Sequence, residues 1–303
     1  MKLTEMREWL AKRDIQLTKS LGQNFLHDAH QLHRIADAGA VTKADRVLEI
    51  GPGLGPLTEL LLERAGEVLA IEMDARLVEV LKERFAAELS RAPLTPSLSP
   101  SDGERVTSRS GEGISAVLSL QLLHADALGF IKRERRDWSD WKLVANLPYS
   151  VASPILVELA LSPQRPKQMT VTLQLEVAQR LMAQADDDDY GILTLLVQLD
   201  FEPRGWFKIP AKCFFPAPNV DSACVTLVRR EKPLLPEDQH ATFVKIVKRA
   251  FSQRRKMMLK LLKAEWPLEK LQLAFAALNI SPQERAEKLS LERFVELTNL
   301  LTK

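Results

Sequence analysis

The apolar residues in the first half of the chain fall into short continuous runs. Runs at 46–50, 67–71, 118–123, 142–145 and 169–173 predict five β-strands. Amphipathic helical patterns lie between several of these runs, at 57–64 and 75–89 among others. Continuously apolar strands that alternate with helices are typical of a parallel sheet covered on both faces. The pattern therefore predicts a doubly wound α/β fold.

Helical spacing also precedes the first strand and dominates the end of the chain. Two predicted helices come before residue 46, and their inward faces carry Leu3, Met6 and Leu10 in the first and Leu32, Ile35 and Ala36 in the second. Residues 231–236 predict a linker, and the long segments after it are helical, at 243–263, 268–278 and 291–301. We therefore predict an α/β domain over residues 1–232 and a small all-helical domain over residues 233–303.

One segment interrupts the α/β rhythm. Residues 91–116 are rich in Pro, Ser, Gly and Thr and have no apolar period. This composition predicts a disordered insertion between a helix and the next strand. We assign it no function, because a loop insertion costs the sheet little closure entropy.

The net charge of the chain is only +2, but the positive charge is unevenly distributed. Residues 233–303 carry 13 basic and 8 acidic side chains, a net charge of +5, so the rest of the chain is about −3. Eight basic residues and no acidic ones lie between 239 and 264. Such a concentration favours a phosphate-binding face. The candidate RNA-binding residues are Lys248, Arg249, Arg254, Arg255 and Lys256.

Composition excludes several classes of protein. The two cysteines, Cys213 and Cys224, exclude a disulfide framework, and no compact spacing of metal ligands is present, so we expect no metal. No uninterrupted apolar stretch is long enough to span a bilayer. We therefore expect a cytoplasmic protein with no membrane partner.

A glycine-rich turn follows the first predicted strand. Gly51, Gly53 and Gly55 let the backbone approach a ligand closely at the start of the next helix. A dinucleotide-binding turn would require glycine where Pro56 stands, so this chain lacks that fingerprint. Glu72 ends the second strand, where a carboxylate accepts hydrogen bonds from ribose hydroxyls. The turn therefore predicts a site for a nucleoside-containing cofactor.

Two further polar groups follow the third and fourth predicted strands. Asp126 is positioned to accept from an adenine amino group, and the sequence Asn146-Leu147-Pro148-Tyr149 follows the fourth strand. Ligands bind beyond the carboxyl ends of parallel strands, which is where all these groups fall. The Asn146 side-chain oxygen and the Leu147 carbonyl are each expected to accept one hydrogen of a nucleobase amino group. Pro148 fixes the turn, and Tyr149 offers a flat face for an unstacked base.

Six motifs together resemble the ribosomal RNA adenine dimethyltransferase family. They are Lys19-Ser-Leu-Gly-Gln-Asn-Phe-Leu26, Glu49-Ile-Gly-Pro-Gly-Leu-Gly55, Asn146-Leu-Pro-Tyr149, Phe214-Phe-Pro-Ala-Pro-Asn-Val-Asp-Ser222, Phe251-Ser-Gln-Arg-Arg-Lys256 and Arg285-Ala-Glu-Lys-Leu-Ser290. The resemblance covers nearly the whole chain except the insertion. It implies a Rossmann-like class I methyltransferase domain followed by the helical domain, with S-adenosyl-L-methionine as cofactor.

The resemblance also implies roles for individual residues. Asn24 and Leu26 would close over the cofactor, and Gly51, Gly53, Glu72, Asp126 and Asn146 would contact it. Asn146, Leu147, Pro148, Tyr149 and Phe214 would form the catalytic site, with Tyr149 and Phe214 on either side of a flipped adenine. The implied reaction is dimethylation of two adjacent adenines in the 3′-terminal hairpin of 16S ribosomal RNA. The implied partner is an immature 30S particle, bound by a monomer.

Other functions remain open at this point. Methyltransferases that act on DNA adenine or a glutamine side chain use a related turn, commonly with Pro in place of Leu147, so Leu147 and the basic C-terminal helices argue against them. A non-catalytic RNA-binding assembly factor on the same fold is the alternative from a different class. Intact Glu72, Asp126 and Asn146 favour catalysis, and Pro56 disfavours a nicotinamide dehydrogenase.

Overall fold

The computed structural model describes residues 1–17, 23–90, 119–253 and 255–302. The predicted insertion at 91–116, residues 19–22 of the first motif and Arg254 therefore lie outside the described residues.

The described strands form a seven-stranded sheet and a separate two-stranded ladder. Their bounds are β1 Phe25–Leu26, β2 Arg46–Ile50, β3 Glu67–Glu72, β4 Ser119–His124, β5 Trp141–Asn146, β6 Gln168–Gln174, β7 Phe201–Ile209, β8 Phe214–Phe215 and β9 Ser222–Arg229. The large sheet has the order β4–β3–β2–β5–β6–β9–β7. The five predicted strands are its parallel part, and β9 and β7 extend it as antiparallel strands that the sequence pattern did not predict.

Helices cover both faces of the large sheet and form the end of the chain. The described α-helices are α1 Leu3–Lys12, α2 Ala29–Ala38, α3 Pro56–Arg64, α4 Ala75–Arg84, α5 Ala86–Ser90, α6 Ala127–Glu134, α7 Ala152–Ala160, α8 Leu175–Met182, α9 Ile192–Gln198, α10 His240–Ala250, α11 Met258–Leu262, α12 Leu268–Ala277 and α13 Leu291–Thr302. Within these residues no helix is both long and apolar enough to cross a membrane.

The single helix predicted over 243–263 is wrong. Helix α10 ends at Ala250, and α11 begins only at Met258. The Ser252 hydroxyl donates to the Arg249 carbonyl oxygen at 2.8 Å, a local bond that competes with continued helix formation. The predicted helix over 75–89 is likewise divided at Phe85, between α4 and α5.

Alternating residues of the strands supply two separate cores. Leu48, Leu69 and Leu143 pack into a cluster on one face of the sheet, and Val47, Val68 and Val144 pack into a cluster on the other. This alternation follows from the two-residue period of a strand. A third cluster lies under the C-terminal helices and also contains side chains from segment 183–199. The apolar core of those helices therefore begins well before residue 233.

Candidate functional site

A cavity of about 350 Å³ opens at the carboxyl ends of the central parallel strands. Neighbouring parallel strands end at the same edge, so residues far apart in sequence meet there. Nine of the predicted site residues line the cavity, namely Asn24, Gly51, Gly53, Glu72, Asp126, Asn146, Leu147, Pro148 and Tyr149. The volume lies within the range of small-molecule sites.

The glycine turn holds two other segments against the cavity. Gly51 and Gly53 have φ angles of +68° and +62°, a region that favours glycine. A Cβ atom on Gly53 would lie 2.7 Å from the ring of Phe25, and one on Gly51 would lie 3.1 Å from Pro148. The glycines therefore allow close packing of the N-terminal strand and of the 146–149 turn, in addition to the approach of a ligand.

Glu72 fixes the glycine turn from the end of β3. One carboxylate oxygen accepts from the Gly53 amide at 3.1 Å, and the other accepts from the amides of Met73 and Asp74, both at 2.9 Å. Burial raises the pKa of this carboxyl. A carboxylate has about four acceptor positions, so Glu72 retains capacity for a ribose hydroxyl.

Glu49 is a buried acid next to this turn that our sequence analysis gave no role. Its side chain is 1% exposed, and its Oε2 atom has no hydrogen-bond partner among the described residues. Burial, with a smaller contribution from the negative charge of Glu72, raises the pKa of Glu49 to about 8. Glu49 is therefore mostly protonated at neutral pH, which limits charge repulsion under the cavity. The continuous apolar run of β2 could have indicated that Glu49 is a buried acid.

Glu49→Gln should change how stability depends on pH. The pKa of Glu49 rises from 4.5 to about 8 on folding. Between these values the folded protein holds a proton that the unfolded chain has released, so rising pH lowers the free energy of unfolding. A Gln side chain does not titrate, so the variant lacks this loss of stability with rising pH. The Tm of the variant relative to wild type should therefore rise between about pH 5 and about pH 8. Thermal unfolding at both values measures this, and a pH-independent offset would show that Glu49 is ionised.

The side chain of Asn146 is held in the wall of the cavity. Its Nδ2 atom donates to the Asn24 carbonyl oxygen at 3.2 Å. Because a carbonyl only accepts, this contact fixes which end of the amide carries the oxygen. The Oδ1 atom is buried and has no hydrogen-bond partner in the described residues. Buried polar atoms are normally paired, so this orphaned acceptor indicates a position for a ligand donor.

The residues that follow Asn146 are held by the neighbouring strand and helix. The Leu147 amide donates to the Thr172 carbonyl oxygen of β6 at 3.0 Å, and the Val151 amide closes a turn onto the Pro148 carbonyl oxygen at 3.1 Å. The Tyr149 hydroxyl and the Ser222 hydroxyl lie 2.6 Å apart. Burial raises the pKa of Tyr149, so the phenol stays protonated. Tyr149 also lines the cavity.

Leu26 and Phe214 lie outside the cavity lining. They are paired with each other in the antiparallel ladder of β1 and β8, and both are only 2% exposed. Both belong to the apolar cluster on one face of the large sheet. The arrangement with an adenine between Tyr149 and Phe214 is thus not assembled in this structure and stays a prediction.

Asp126 and Met73 lie at the rim of the cavity. Asp126 caps α6, where one carboxylate oxygen accepts from the Gly129 amide at 3.0 Å. Met73 is 57% exposed, an unusual value for a large apolar side chain in a folded protein. Our sequence analysis missed Met73, although its position directly after Glu72 at a strand end could have revealed it.

Ion pairing next to the cavity fastens the N-terminal segment. Asp74 accepts from the Gln23 side chain at 2.9 Å and from Arg76 at 2.6 Å, and Arg76 also donates to the Gln16 carbonyl oxygen at 3.2 Å. The Arg76 guanidinium lowers the pKa of Asp74 to about 2. The chain on both sides of residues 18–22 is thereby attached to the start of α4, beside the cavity.

Comparison with protein-family models matches residues 15–303 to the family described as ribosomal RNA adenine dimethylase. The chain belongs to this family. The S-adenosylmethionine cofactor implied by the sequence motifs is confirmed, and the chain is a methyltransferase of ribosomal RNA adenines.

Curated relatives agree with this assignment. The chain is 37% identical over 300 residues to ribosomal RNA small subunit methyltransferase A of Geobacillus kaustophilus, covering 97% of this chain and 94% of the relative. It is 36% identical over 299 residues to the protein of the same name from Clostridium perfringens strain SM101, covering 98% and 95%.

Solved structures share the fold of the enzyme. The crystal structure of the 23S rRNA methyltransferase ErmE matches with a TM-score of 0.64 and 25% identity, covering 92% of this chain and 100% of that chain. A dimethyladenosine transferase from Plasmodium falciparum matches with a TM-score of 0.69 and 24% identity, covering 90% and 95%. The Rossmann-like methyltransferase fold with a helical C-terminal region is thus confirmed.

The basic residues of the enzyme fall into two places. Arg249, Arg255, Lys256 and Lys260 line a depression of about 510 Å³ between α10 and α11. Lys248 faces a different groove on the other side of α10. In the described chain, no carboxylate lies within 4 Å of these five cations, whereas Lys245 pairs with Glu265 at 2.7 Å. Lys260 was not among the predicted RNA-binding residues, because helical spacing alone does not reveal the break before α11.

Proposed function

We propose that this enzyme dimethylates two adjacent adenines in the 3′-terminal hairpin of 16S ribosomal RNA, acting as a monomer on an immature small-subunit particle in the cytoplasm. The relatives at 36–37% identity are named as small-subunit enzymes, whereas the 23S methyltransferase ErmE is 25% identical. The higher similarity to the small-subunit group over nearly full length supports small-subunit RNA as the substrate.

The unpartnered Oδ1 atom of Asn146 carries the chemical part of the proposal. The lone pair of an exocyclic amino group is delocalised into the base, so the amine is a poor nucleophile. Asn146 Oδ1 and the Leu147 carbonyl each accept one amino hydrogen, which favours a pyramidal nitrogen with its lone pair directed outward. This is catalysis by positioning and electrostatics rather than by a strong base.

The cavity also fits the cofactor. Glu72 would hold the ribose, Asp126 the adenine and Gly51 the methionine part, while Asn24 would close over them. The left-handed glycine turn and the remaining acceptor capacity of Glu72 support these assignments. When bound, S-adenosylmethionine supplies an electrophilic methyl group.

We further propose that residues 233–303 hold the RNA while residues 1–232 carry the chemistry. The depression between α10 and α11 places Arg249, Arg255, Lys256 and Lys260 around one concave surface. Phosphate contacts would position the RNA, and Tyr149 would act on the base itself.

Replacing Arg255 and Lys256 together by Ala should weaken RNA binding and reduce its salt dependence. Each phosphate contact contributes about 0.7–0.9 to the slope of log K against log salt, so the slope should fall by about 1.5. The affinity for S-adenosylmethionine should not change. Lys12→Ala with Lys167→Ala is a control of equal charge, since these exposed lysines already pair with Glu83 and Asp140. Equal slopes for the double variant and wild type would remove the depression from the RNA surface.

Comparison of the two ribosomal subunits tests the proposed substrate. Immature small-subunit particles and large-subunit particles are incubated with the enzyme and S-adenosylmethionine, and RNase fragments are mapped by mass spectrometry. We expect dimethylation at two neighbouring adenines near the 3′ end of the small-subunit RNA. Modification of large-subunit RNA alone would contradict the proposed substrate and would favour an activity like that of the 23S rRNA methyltransferase ErmE.

A further inference from the structure

A second groove lies beside the catalytic cavity, between α7, α9 and α10. Its volume is about 550 Å³. Its walls are mainly apolar, formed by Pro154, Val157, Ile192, Leu193 and Phe251, and the charged side chains of Arg180 and Asp189 also line it. Lys248 of α10 stands at its edge, exposed, and has no carboxylate within 4 Å among the described residues. An apolar groove with a cation at its edge suits a nucleobase and its phosphate.

The groove is continuous along the chain with the catalytic cavity. Ser150 and Val151 line the cavity, and Ser153 and Pro154 line the groove. Two residues span at most about 7 Å, a distance that one nucleotide bridges. The two sites are therefore close enough for neighbouring bases of one strand to reach both.

The start of α7 lies between the two openings. Val151 precedes α7 and provides no side-chain cap, so among the described residues the amides of Ala152 and Ser153 have no side-chain acceptor, and Pro154 has no amide. Helix N-termini attract phosphate groups. The backbone phosphate that joins two neighbouring nucleotides would pass this point on its way from the cavity to the groove.

We propose that this groove binds the nucleotide next to the target adenine. The inference rests on the proposed function, because it concerns the same RNA strand. It explains how an enzyme that modifies two adjacent adenines holds one base while the other is in the catalytic cavity. Lys248 neutralises a phosphate on the far side of the neighbouring base, apart from the depression between α10 and α11.

Gly191 gives a direct way to fill the groove. It lines the groove in extended backbone, with φ 179°, so other residues fit its conformation. A Cβ atom there meets only Phe251 within 4 Å, at 4.0 Å, and because Gly191 lines the groove we expect a longer side chain to extend into it. Gly191→Leu should therefore occupy the site without straining the fold, which a thermal melt checks.

The test compares two enzymes on two RNAs. Wild type and Gly191→Leu are assayed on a small-subunit RNA and on the same RNA with an abasic residue beside the target adenine, at its 5′ or its 3′ side. Wild type should lose about tenfold in kcat/KM when the correct neighbour is abasic. Gly191→Leu should lose about tenfold on intact RNA and little more on that abasic RNA, because both changes remove one interaction.

Lys248→Ala provides a second variant that leaves the core untouched. It should raise KM for the RNA about threefold to tenfold and leave the affinity for S-adenosylmethionine unchanged. Lys245→Ala, one turn away and already paired with Glu265 at 2.7 Å, is its control and should stay near wild type. The groove assignment would be overturned if the losses in kcat/KM from Gly191→Leu and from each abasic RNA simply multiplied. It would also be overturned if neither change lowered kcat/KM. Failure of wild type to methylate any adenine would instead overturn the proposed function.

Discussion

Asn146→Ala should lower kcat by a factor of about 10² to 10³, the usual effect of removing one preorganised polar group from an active site. The variant loses the buried Oδ1 atom of a cavity-lining side chain, an atom that has no hydrogen-bond partner among the described residues. Without that acceptor the target amine keeps its lone pair in the ring. RNA affinity should stay nearly unchanged, because phosphate contacts dominate it. Single-turnover kinetics and filter binding on the same RNA measure the two quantities.

The control for this variant is Asn299→Ala on α13, away from the cavity, which should retain wild-type turnover. The affinity for S-adenosylmethionine is measured in parallel, because Asn146 also donates to the Asn24 carbonyl oxygen. Equal loss of RNA binding and methyl transfer in Asn146→Ala would show that Asn146 holds RNA rather than the reacting amine.

Asp200→Ala should lower the free energy of unfolding by about 3 kcal/mol, the lower end of the cost of breaking a buried ion pair, because Arg165 keeps its contact with Glu237. Asp200 pairs with Arg165, and both side chains are buried. Arg165 also contacts Glu237, just before α10, at 2.7 Å. The ion pairs therefore join the sheet domain to the start of the C-terminal helices. For a chain of this size the Tm should fall by roughly 5 °C.

Asp140→Ala is the matched control for Asp200→Ala. Asp140 is 75% exposed and pairs with Lys167 at 3.2 Å. Exposed pairs contribute about 0–1 kcal/mol, so its Tm should barely move. Chemical denaturation of both variants gives the comparison. If Asp200→Ala costs no more than Asp140→Ala, the buried pair does not stabilise the junction.

Much of the site could be predicted because parallel strands end at one edge. The residues that end or follow β2, β3, β4 and β5 were separate signals in the sequence, and the strand order β4–β3–β2–β5 makes them neighbours. Gly53, Glu72 and Asn146 consequently lie around one cavity. Local pattern and one topological rule were sufficient for this part.

Other features depend on contacts that local pattern does not encode. β7 contains Pro203 and Gly205, residues that normally argue against a strand, and a register irregularity between them accommodates both. The burial of Leu26 against Phe214 arises from a two-residue ladder between segments far apart in the chain. The raised pKa of Glu49 likewise follows from its burial in the core. Residue type alone argues against that burial, because Glu is normally exposed.

Transfer of labelled methyl groups to immature small ribosomal subunits tests the central claim most directly. Wild-type enzyme is incubated with labelled S-adenosylmethionine, and the RNA is digested to nucleosides. Label in N6,N6-dimethyladenosine, lost in Asn146→Ala, is the result we predict. Tight binding to the particle with no label transferred would contradict catalysis and indicate an RNA-binding assembly factor on the same fold.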